Sequence, residues 1–445
     1  MSATKTQPPG PRGRLLSGNL RDYIEQQLDF FIRCRERYGD IVRLRFGYRT
    51  IWLVSHPDLI EQVLVTDAKH YIKHFGARLY RPVLGNGLVL SEGDFWLRQR
   101  KLAQPAFLKS KLQQYAEPMI RFTEQLLARW QENAVVEIHE EMVNLTGQIA
   151  ASTLFGVEAP EDRLAFNDAM YEAFNLMSLR LRRPVPLPDW LPTPNNIRLA
   201  RAVRRLNAVV DGFIAAGRRR GADGHDLLSV LLRARDEGGE GMTDRQLRDE
   251  IMTLFLAGHE TTALTLSWAW YLLAQHPHVE ERLVAEWREV LNGRPPTPDD
   301  LARLPYTEAV ILEAMRIYPP VWLLGRQAIR PCELGGYSVP PGTTIFMSQW
   351  VMHRHPDFFP EPTVFRPERW LDGLAKRLPK FAYFPFGGGP RVCIGNTFSM
   401  MEAGLILPML GQSWRFTHDP TQPVSLQPMI TLQPKPGIYA RLSRR

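Results

Sequence analysis

At 445 residues, with 44% apolar and 23% charged side chains, the chain has an ordinary globular composition, and no low-complexity linker, internal repeat or long Gly/Ser stretch divides it; one large domain over residues 8–445 is expected. Three cysteines, Cys34, Cys332 and Cys393, are too few and too scattered for a disulfide framework, which suits a reducing cytoplasm. A net charge of +8 by itself fits nucleic acid, an acidic protein partner or a scattered basic surface, but basic clusters such as Arg218-Arg219-Arg220 and Arg444-Arg445 come with no nucleic-acid motif, so no nucleic-acid partner is expected.

The N-terminus runs from Met1 into Pro8-Pro9-Gly10-Pro11 without the apolar stretch of a signal peptide or anchor, which predicts a cytoplasmic protein with no cleaved leader and no stable membrane insertion. Asp22 to Tyr38 has helical spacing. Ile41 to Val54 alternates like a hairpin, with Val42, Leu44 and Phe46 on one face, a turn at Gly47-Tyr48, and Ile51 and Leu53 returning. Amphipathic helical runs follow near Gln113–Arg129, Met142–Phe155 and Leu199–Arg218. Pro184, Pro186, Pro188, Pro192 and Pro194 around Trp190 predict a long loop from Arg183 to Asn195. After the break Asp236 to Gly241, Thr243 and Gln246 have capping-box spacing, so a helix should start there. That helix contains the one long apolar segment, Ile251 to Ala274, but His259 and Glu260 inside it fit a helix buried in protein better than one in hydrocarbon. Beyond Glu333 the signal turns to short strands and turns, with a β-rich Thr343–Met347 and two further segments near Pro423–Arg441. The fold class is mainly α with a small β region.

The most informative stretch is Phe386-Gly387-Gly388-Gly389-Pro390-Arg391-Val392-Cys393-Ile394-Gly395. Glycines let the chain turn tightly and bring backbone N–H groups close to a bulky ligand and to the sulfur. Asn396 to Leu410 then reads as an apolar helix, so Cys393 sits beside a helix N-terminus, where unsatisfied N–H groups favour a thiolate. A bare Gly-x-Cys-x-Gly would also suit a buried structural cysteine. The whole run, however, resembles the haem-binding signature of the cytochromes P450, Phe-x-x-Gly-x-Arg-x-Cys-x-Gly, with every defined position matched. The resemblance implies the cytochrome P450 fold and haem b as cofactor. It makes Cys393 the iron ligand, places Phe386 near the sulfur, puts Gly395 in the haem loop and gives Arg391 a haem propionate as a charge-assisted partner. Thiolate ligation favours O–O cleavage, the chemistry of a monooxygenase.

Four other segments resemble the same family in the same order. Trp96 and Arg100, one helical turn apart, match its Trp-x-x-x-Arg propionate pair. Ala257-Gly258-His259-Glu260-Thr261-Thr262 matches the oxygen-binding motif, which implies space over the iron at Ala257 and Gly258, with Thr261 and Glu260 as the catalytic pair that delivers protons. Read by itself this stretch also permits a structural role, because a helical threonine can bond the carbonyl four residues back. Glu313 and Arg316, followed by Arg366-Pro367-Glu368-Arg369-Trp370, match the family's Glu-x-x-Arg and Pro-Glu-Arg-Phe pieces and imply a buried network of Glu313, Arg316 and Arg369; Trp370 replaces the commoner Phe. Arg326, after Tyr318-Pro319-Pro320, stands where many members place another propionate-binding arginine, with a solvated strand arginine as the alternative.

The resemblance extends from about Pro8 to the end and implies insertion of one oxygen atom from O2 into a small apolar substrate, by hydroxylation or epoxidation. Gly85-Asn86-Gly87-Leu88-Val89 and Arg98-Gln99-Arg100-Lys101 resemble the branches that oxidise fatty acids and terpenoids. By analogy the pocket would be lined by Phe255, Val321, Trp322, Leu323, Met429 and Ile430, all of which are core residues by default. The sequence ends about fifty residues after Cys393 without a flavin or iron–sulfur extension, so electrons are expected from a ferredoxin or flavodoxin with its reductase; basic residues such as Arg98, Lys101, Lys376, Arg377 and Lys380 fit either its docking face or a generic solvated face. A haem-thiolate isomerase or dehydratase and a non-catalytic haem sensor are the competing readings; Glu260 and Thr261 argue against the first.

Overall fold

The computed structural model describes residues 7–156, 169–170, 172–173, 175–177, 179, 190–220, 224 and 226–445. Its longest element is the central helix Asp244–Gln275, which begins where the capping box predicts: Thr243 Oγ1 accepts the Gln246 N–H, and Gln246 Oε1 accepts the Thr243 N–H. Helices Ile138–Phe155, Pro194–Arg220, Pro305–Ile317 and Asn396–Ser413 pack around it. Aromatic side chains fill the seam: Phe155 stacks on Phe213 at 5.6 Å and on Phe255 at 5.7 Å, while Trp268 and Trp270 are fully buried.

Strands β1 (Ile41–Phe46) and β2 (Arg49–Val54) form the expected hairpin, with Val42 opposite Leu53 and Leu44 opposite Ile51. The period of two sends Val42, Leu44, Phe46, Ile51 and Leu53 into one apolar cluster and Ile41, Trp52 and Val54 into another, so both faces of the hairpin are covered. With β3 (Tyr71–Lys73), β5 (Leu324–Ala328) and β8 (Thr344–Met347) it makes a five-stranded sheet of order β1-β2-β8-β5-β3. Smaller sheets join β4 (Val135–Glu137) to β12 (Tyr439–Arg444) and β9 (Trp414–His418), β6 (Cys332–Leu334) to β7 (Tyr337–Val339), and β10 (Ser425–Pro428) to β11 (Leu432–Lys435).

Three expectations on the elements change. The helix over Asp22–Tyr38 is two, Leu20–Glu25 and Gln27–Tyr38, because Gln26 adopts φ −144° while Asn19 ties the first piece to Arg45 of β1 through a backbone bond of 2.6 Å and a side-chain bond of 3.0 Å. The end of the chain holds three strands over Ser425–Arg444 rather than two. The helix expected from Leu199 starts at Pro194, whose ring suits a first helical position. Trp190 to Thr193 precede it without helix, as expected, and residues 183–189, including Pro184, Pro186 and Pro188, lie outside the described residues. No described helix is long and apolar enough to cross a membrane.

Candidate active site

The cysteine loop is shaped by glycine. Gly387 and Gly389 have φ of +70° and +67°, and a Cβ on Gly389 would lie 2.0 Å from the Leu64 carbonyl oxygen. The loop closes on itself, with the Cys393 N–H donating to Phe386 O at 3.0 Å, and Gly395 opens the helix Asn396–Ser413. Cys393 keeps open surface, but the protein mass around it pushes its thiol up from the ordinary value; the Gly395 N–H and the Arg100 charge oppose that rise without reversing it. The helix terminus expected to favour a thiolate is therefore outweighed by burial, and a metal ion would have to complete the deprotonation.

Beside the loop lies a cationic edge. Glu92, at the N-cap of helix Gly93–Ala103, and Trp96 and Arg100 within it stand at intervals of four, so they share a face. Arg100 Nη1 donates to Val392 O at 3.0 Å, and the Arg391 guanidinium lies 4.0 Å over the Trp96 ring and pairs with Glu92. Arg326, on β5 opposite Lys73 of β3, is only 8% exposed, which removes the alternative of a solvated arginine. Burial and the neighbouring Arg391 push Arg326 down to about 10, burial with Arg326 and Arg391 pushes Lys73 well below its ordinary value, and burial with Arg326 and Lys73 takes His74 down to about 3. The Glu92 carboxylate offsets part of this repulsion at Lys73, Arg326 and Arg391, and among the described residues Arg391 Nη1 is buried with no hydrogen-bond partner. Sequence reading missed Lys73, His74 and Glu92; only the four-residue step from Glu92 to Trp96 hints at one of them.

Glu313, Arg316 and Arg369 converge as expected, all buried. Glu313 accepts from Arg316 Nε and Nη2 at 2.9 and 2.8 Å, Arg369 Nε at 3.0 Å and the Arg366 N–H at 3.0 Å. Arg316 also donates to the carbonyls of His353, Pro362 and Val364, which carry the chain toward the cysteine loop. Trp370, the departure from the commoner Phe, joins the network: its indole N–H meets Glu313 Oε2 at 2.9 Å, a bond phenylalanine cannot make.

On the central helix, Ala257 is exposed, and Thr261 one turn later donates its hydroxyl to Ala257 O at 2.8 Å, the back-bonded geometry of the structural alternative. A Cβ on Gly258 would meet only Leu154 Cδ1, at 3.5 Å, so crowding within the protein does not require the glycine. His259 is buried, with Nδ1 2.9 Å from Phe255 O, and Glu260 Oε1 accepts from Thr431 Oγ1 and Gln433 Nε2. Below, Thr262 meets Ser399 at 3.0 Å, and burial lifts the carboxyl of Glu402 to about 8.

Two pocket residues change place. Phe255 and Trp322 are 1% and 2% exposed; Phe255 is stacked between helices, and Trp322 packs near Phe31 with its indole N–H on Met429 O at 2.9 Å. They fill the core, because packing against neighbouring helices and strands covered both sides of each ring. Val321, Leu323 and Met429 are partly exposed and Ile430 is exposed. The basic docking residues are also less free than the sequence suggests: Arg98 pairs with Asp236 at 2.6 Å, Lys101 with Glu237 at 2.8 Å and Lys380 with Glu61 at 3.5 Å, while Arg377 bonds the Asp372 carbonyl; Lys376 is exposed.

A helical bundle beside a five-stranded sheet, with a glycine-shaped cysteine loop, a cationic edge and a buried Glu–Arg–Arg network, is the architecture of a haem-thiolate enzyme. The family model "Cytochrome P450" matches residues 8–441, and the chain belongs to that family. It is 38% identical over 395 residues to cyclooctat-9-en-7-ol 5-monooxygenase of Streptomyces melanosporofaciens (88% of this chain, 85% of the relative) and 34% identical over 421 residues to pentalenene oxygenase of Streptomyces avermitilis (93% and 92%). Among solved structures it is similar to retinoic acid-bound cyanobacterial CYP120A1, with TM-score 0.87 and 28% identity, covering 99% of this chain and 100% of that one. It is a cytochrome P450 monooxygenase, and its cofactor is protoporphyrin IX haem. The residues present fit that cofactor: the unpartnered Arg391 Nη1 and the mutual repulsion of Arg391, Arg326 and Lys73 call for anions, and haem brings two propionates.

Proposed function

We propose that Cys393 holds the haem iron as a thiolate, that Arg391, Arg326, Arg100 and Trp96 bind the propionates, and that Glu260 and Thr261 deliver protons. The observation that carries this is the orphaned Arg391 Nη1 in a crowd of cations one loop away from Cys393. Thiolate-ligated haem supplies the activation of dioxygen. The protein's own part is to orient substrate and to move protons: Ala257 leaves one face of the helix open, Thr261 places a hydroxyl there, and Glu260 is the carboxylate next to it. Directed protonation separates substrate oxidation from peroxide release. Glu313, Arg316 and Arg369 brace the approach to the cysteine loop.

The substrate class is an apolar, terpenoid-like molecule, with a long-chain fatty acid as the second choice. Two relatives named for cyclooctat-9-en-7-ol and pentalenene support it, as do the apolar Val321, Leu323, Met429 and Ile430. Electrons come from a ferredoxin or flavodoxin with its reductase. The test is the absorption spectrum of the reduced, carbon monoxide-bound protein, followed by spin-state titration with pentalenene, cyclooctat-9-en-7-ol and lauric acid. A Soret band near ~450 nm, lost in Cys393→Ser, is expected from strong donation by sulfur; a band near ~420 nm in folded wild type overturns the ligand assignment. Lauric acid shifting the spin state while neither terpenoid does so overturns the substrate class.

A further inference from the structure

Thr431 and Gln433 lie 171 and 173 residues from Glu260, yet both donate to its Oε1, each at 2.8 Å. Thr431 closes the turn and Gln433 lies on the strand just after it, both reach the same oxygen, and Leu432 between them is fully buried. Leu432 is itself pinned: its N–H donates to Pro320 O at 2.9 Å, and its carbonyl accepts the Trp268 indole N–H at 3.0 Å. Trp268 and Glu260 are eight residues apart on the central helix, on the same face. Across the turn, Met429 O accepts from Trp322. Pro320, Trp268 and Trp322 thus hold the β10–β11 hairpin by bonds that do not involve Glu260.

What the two side chains fix is therefore the carboxylate. Both are neutral donors, which orient the oxygen without cancelling its charge. Among the described residues no lysine or arginine bonds Glu260; the titratable groups facing it are His259 on its own helix and His139 from helix Ile138–Phe155, both pushed below the ordinary histidine value by burial. No described donor meets Oε2, which is left for proton exchange. We propose that Thr431 and Gln433 are positioning residues for the proton-delivering acid, so that the hairpin whose turn carries Met429 and Ile430 also sets where that acid stands. The inference rests on the proposed roles of Glu260 and of those two apolar residues. Oxidation of a substrate R–H by O2 takes two electrons from the redox partner and two protons, giving R–OH and water; the carboxylate passes protons inward and regains them from solvent.

The experiment compares wild type, Thr431→Val with Gln433→Leu, Thr431→Ser and Glu260→Gln as holoenzymes with a plant-type ferredoxin and its reductase, using pentalenene and the small alkene styrene as probes. The double variant should keep its ~450 nm carbon monoxide band and the pentalenene spin shift, with unchanged hydrogen exchange over residues 425–435. Product per electron pair should fall about tenfold or more, with the remaining electron pairs and protons leaving on O2 as hydrogen peroxide, since misplacing a reacting group by an ångström costs up to about a hundredfold. Thr431→Ser should restore coupling at its position. Unchanged coupling in the double variant, or faster exchange across the hairpin, overturns the inference. If Glu260→Gln also couples normally, the reading of Glu260 as the acid fails; if Glu260→Gln uncouples and the double variant does not, only the role of Thr431 and Gln433 fails.

Discussion

Replacing Glu313 by alanine removes the centre of a network in which five donors meet one carboxylate: two from Arg316, one from Arg369, one from Trp370 and one backbone N–H from Arg366. Arg316 would keep three carbonyls, at 2.9, 2.7 and 3.1 Å, so its donors stay largely satisfied. Its charge, however, would have no counter-charge in a site with no solvent exposure. Breaking a buried pair from one side costs about 3–5 kcal/mol, and two arginines depend on this carboxylate, so the upper end applies. Spread over 445 residues at about 2.1 cal/mol/K each, the unfolding entropy is about 0.9 kcal/mol/K, so about 5 kcal/mol moves the thermal midpoint by only about 5 °C. Haem retention is the sharper assay, because the bonds of Arg316 and Arg369 to residues 353–364 brace the chain that leads into the cysteine loop. Glu313→Ala should purify without haem, with no carbon monoxide band at any wavelength in the Soret region. A fully haem-loaded Glu313→Ala protein with an unshifted midpoint would refute the reasoning.

Trp370→Phe removes one donor to the same carboxylate and should cost about 1.5–3 kcal/mol, leaving a haem-loaded protein that loses its haem sooner on heating than wild type. Arg391→Gln removes a propionate partner and frees Glu92; haem affinity should fall about 10- to 100-fold, read as transfer to an acceptor globin, and unchanged transfer would exclude the assignment. Burial lifts Glu250 to about 7 and Glu402 to about 8, above their ordinary 4.5, so the folded state binds more protons than the unfolded state up to those values and stability falls as pH rises through them. Each carboxyl contributes a slope of up to about 1.4 kcal/mol per pH unit below its raised value, while Lys73, pushed below its ordinary value by burial, contributes with the opposite sign, so the carboxyl is read from the difference between wild type and a variant. From pH 6.5 to 8 the thermal midpoint of wild type should therefore fall relative to that of Glu402→Gln, and parallel curves would refute the raised Glu402.

The features legible in the sequence are those whose chemistry is local. Thr243 and Gln246 cap a helix because three residues of separation place each side chain on the other's N–H. The alternation of Ile41 to Val54 could only be a strand pair, and the spacings of Glu313 with Arg316 and of Trp96 with Arg100 are helical neighbours before any fold is known. Phe386 to Gly395 likewise carries its own turn geometry in its glycines. The tertiary structure decided what depends on segments far apart in the chain. Lys73, Glu92, Arg326 and Arg391 form one cationic edge because a short strand, a helix start, a second strand and a loop converge, and no periodicity encodes that meeting. Trp370 reads in the sequence only as a replacement for the commoner Phe, and the fold gives it a role by bringing its indole N–H to Glu313. Phe255 and Trp322 show the limit from the other side: apolar character says that a residue avoids water, and only packing decides whether a core or a substrate covers it. The two donors that hold Glu260 come from a hairpin that the sequence marks only as a short strand, because a hydrogen bond across 171 residues is set by where the backbone returns, not by the residues that precede it.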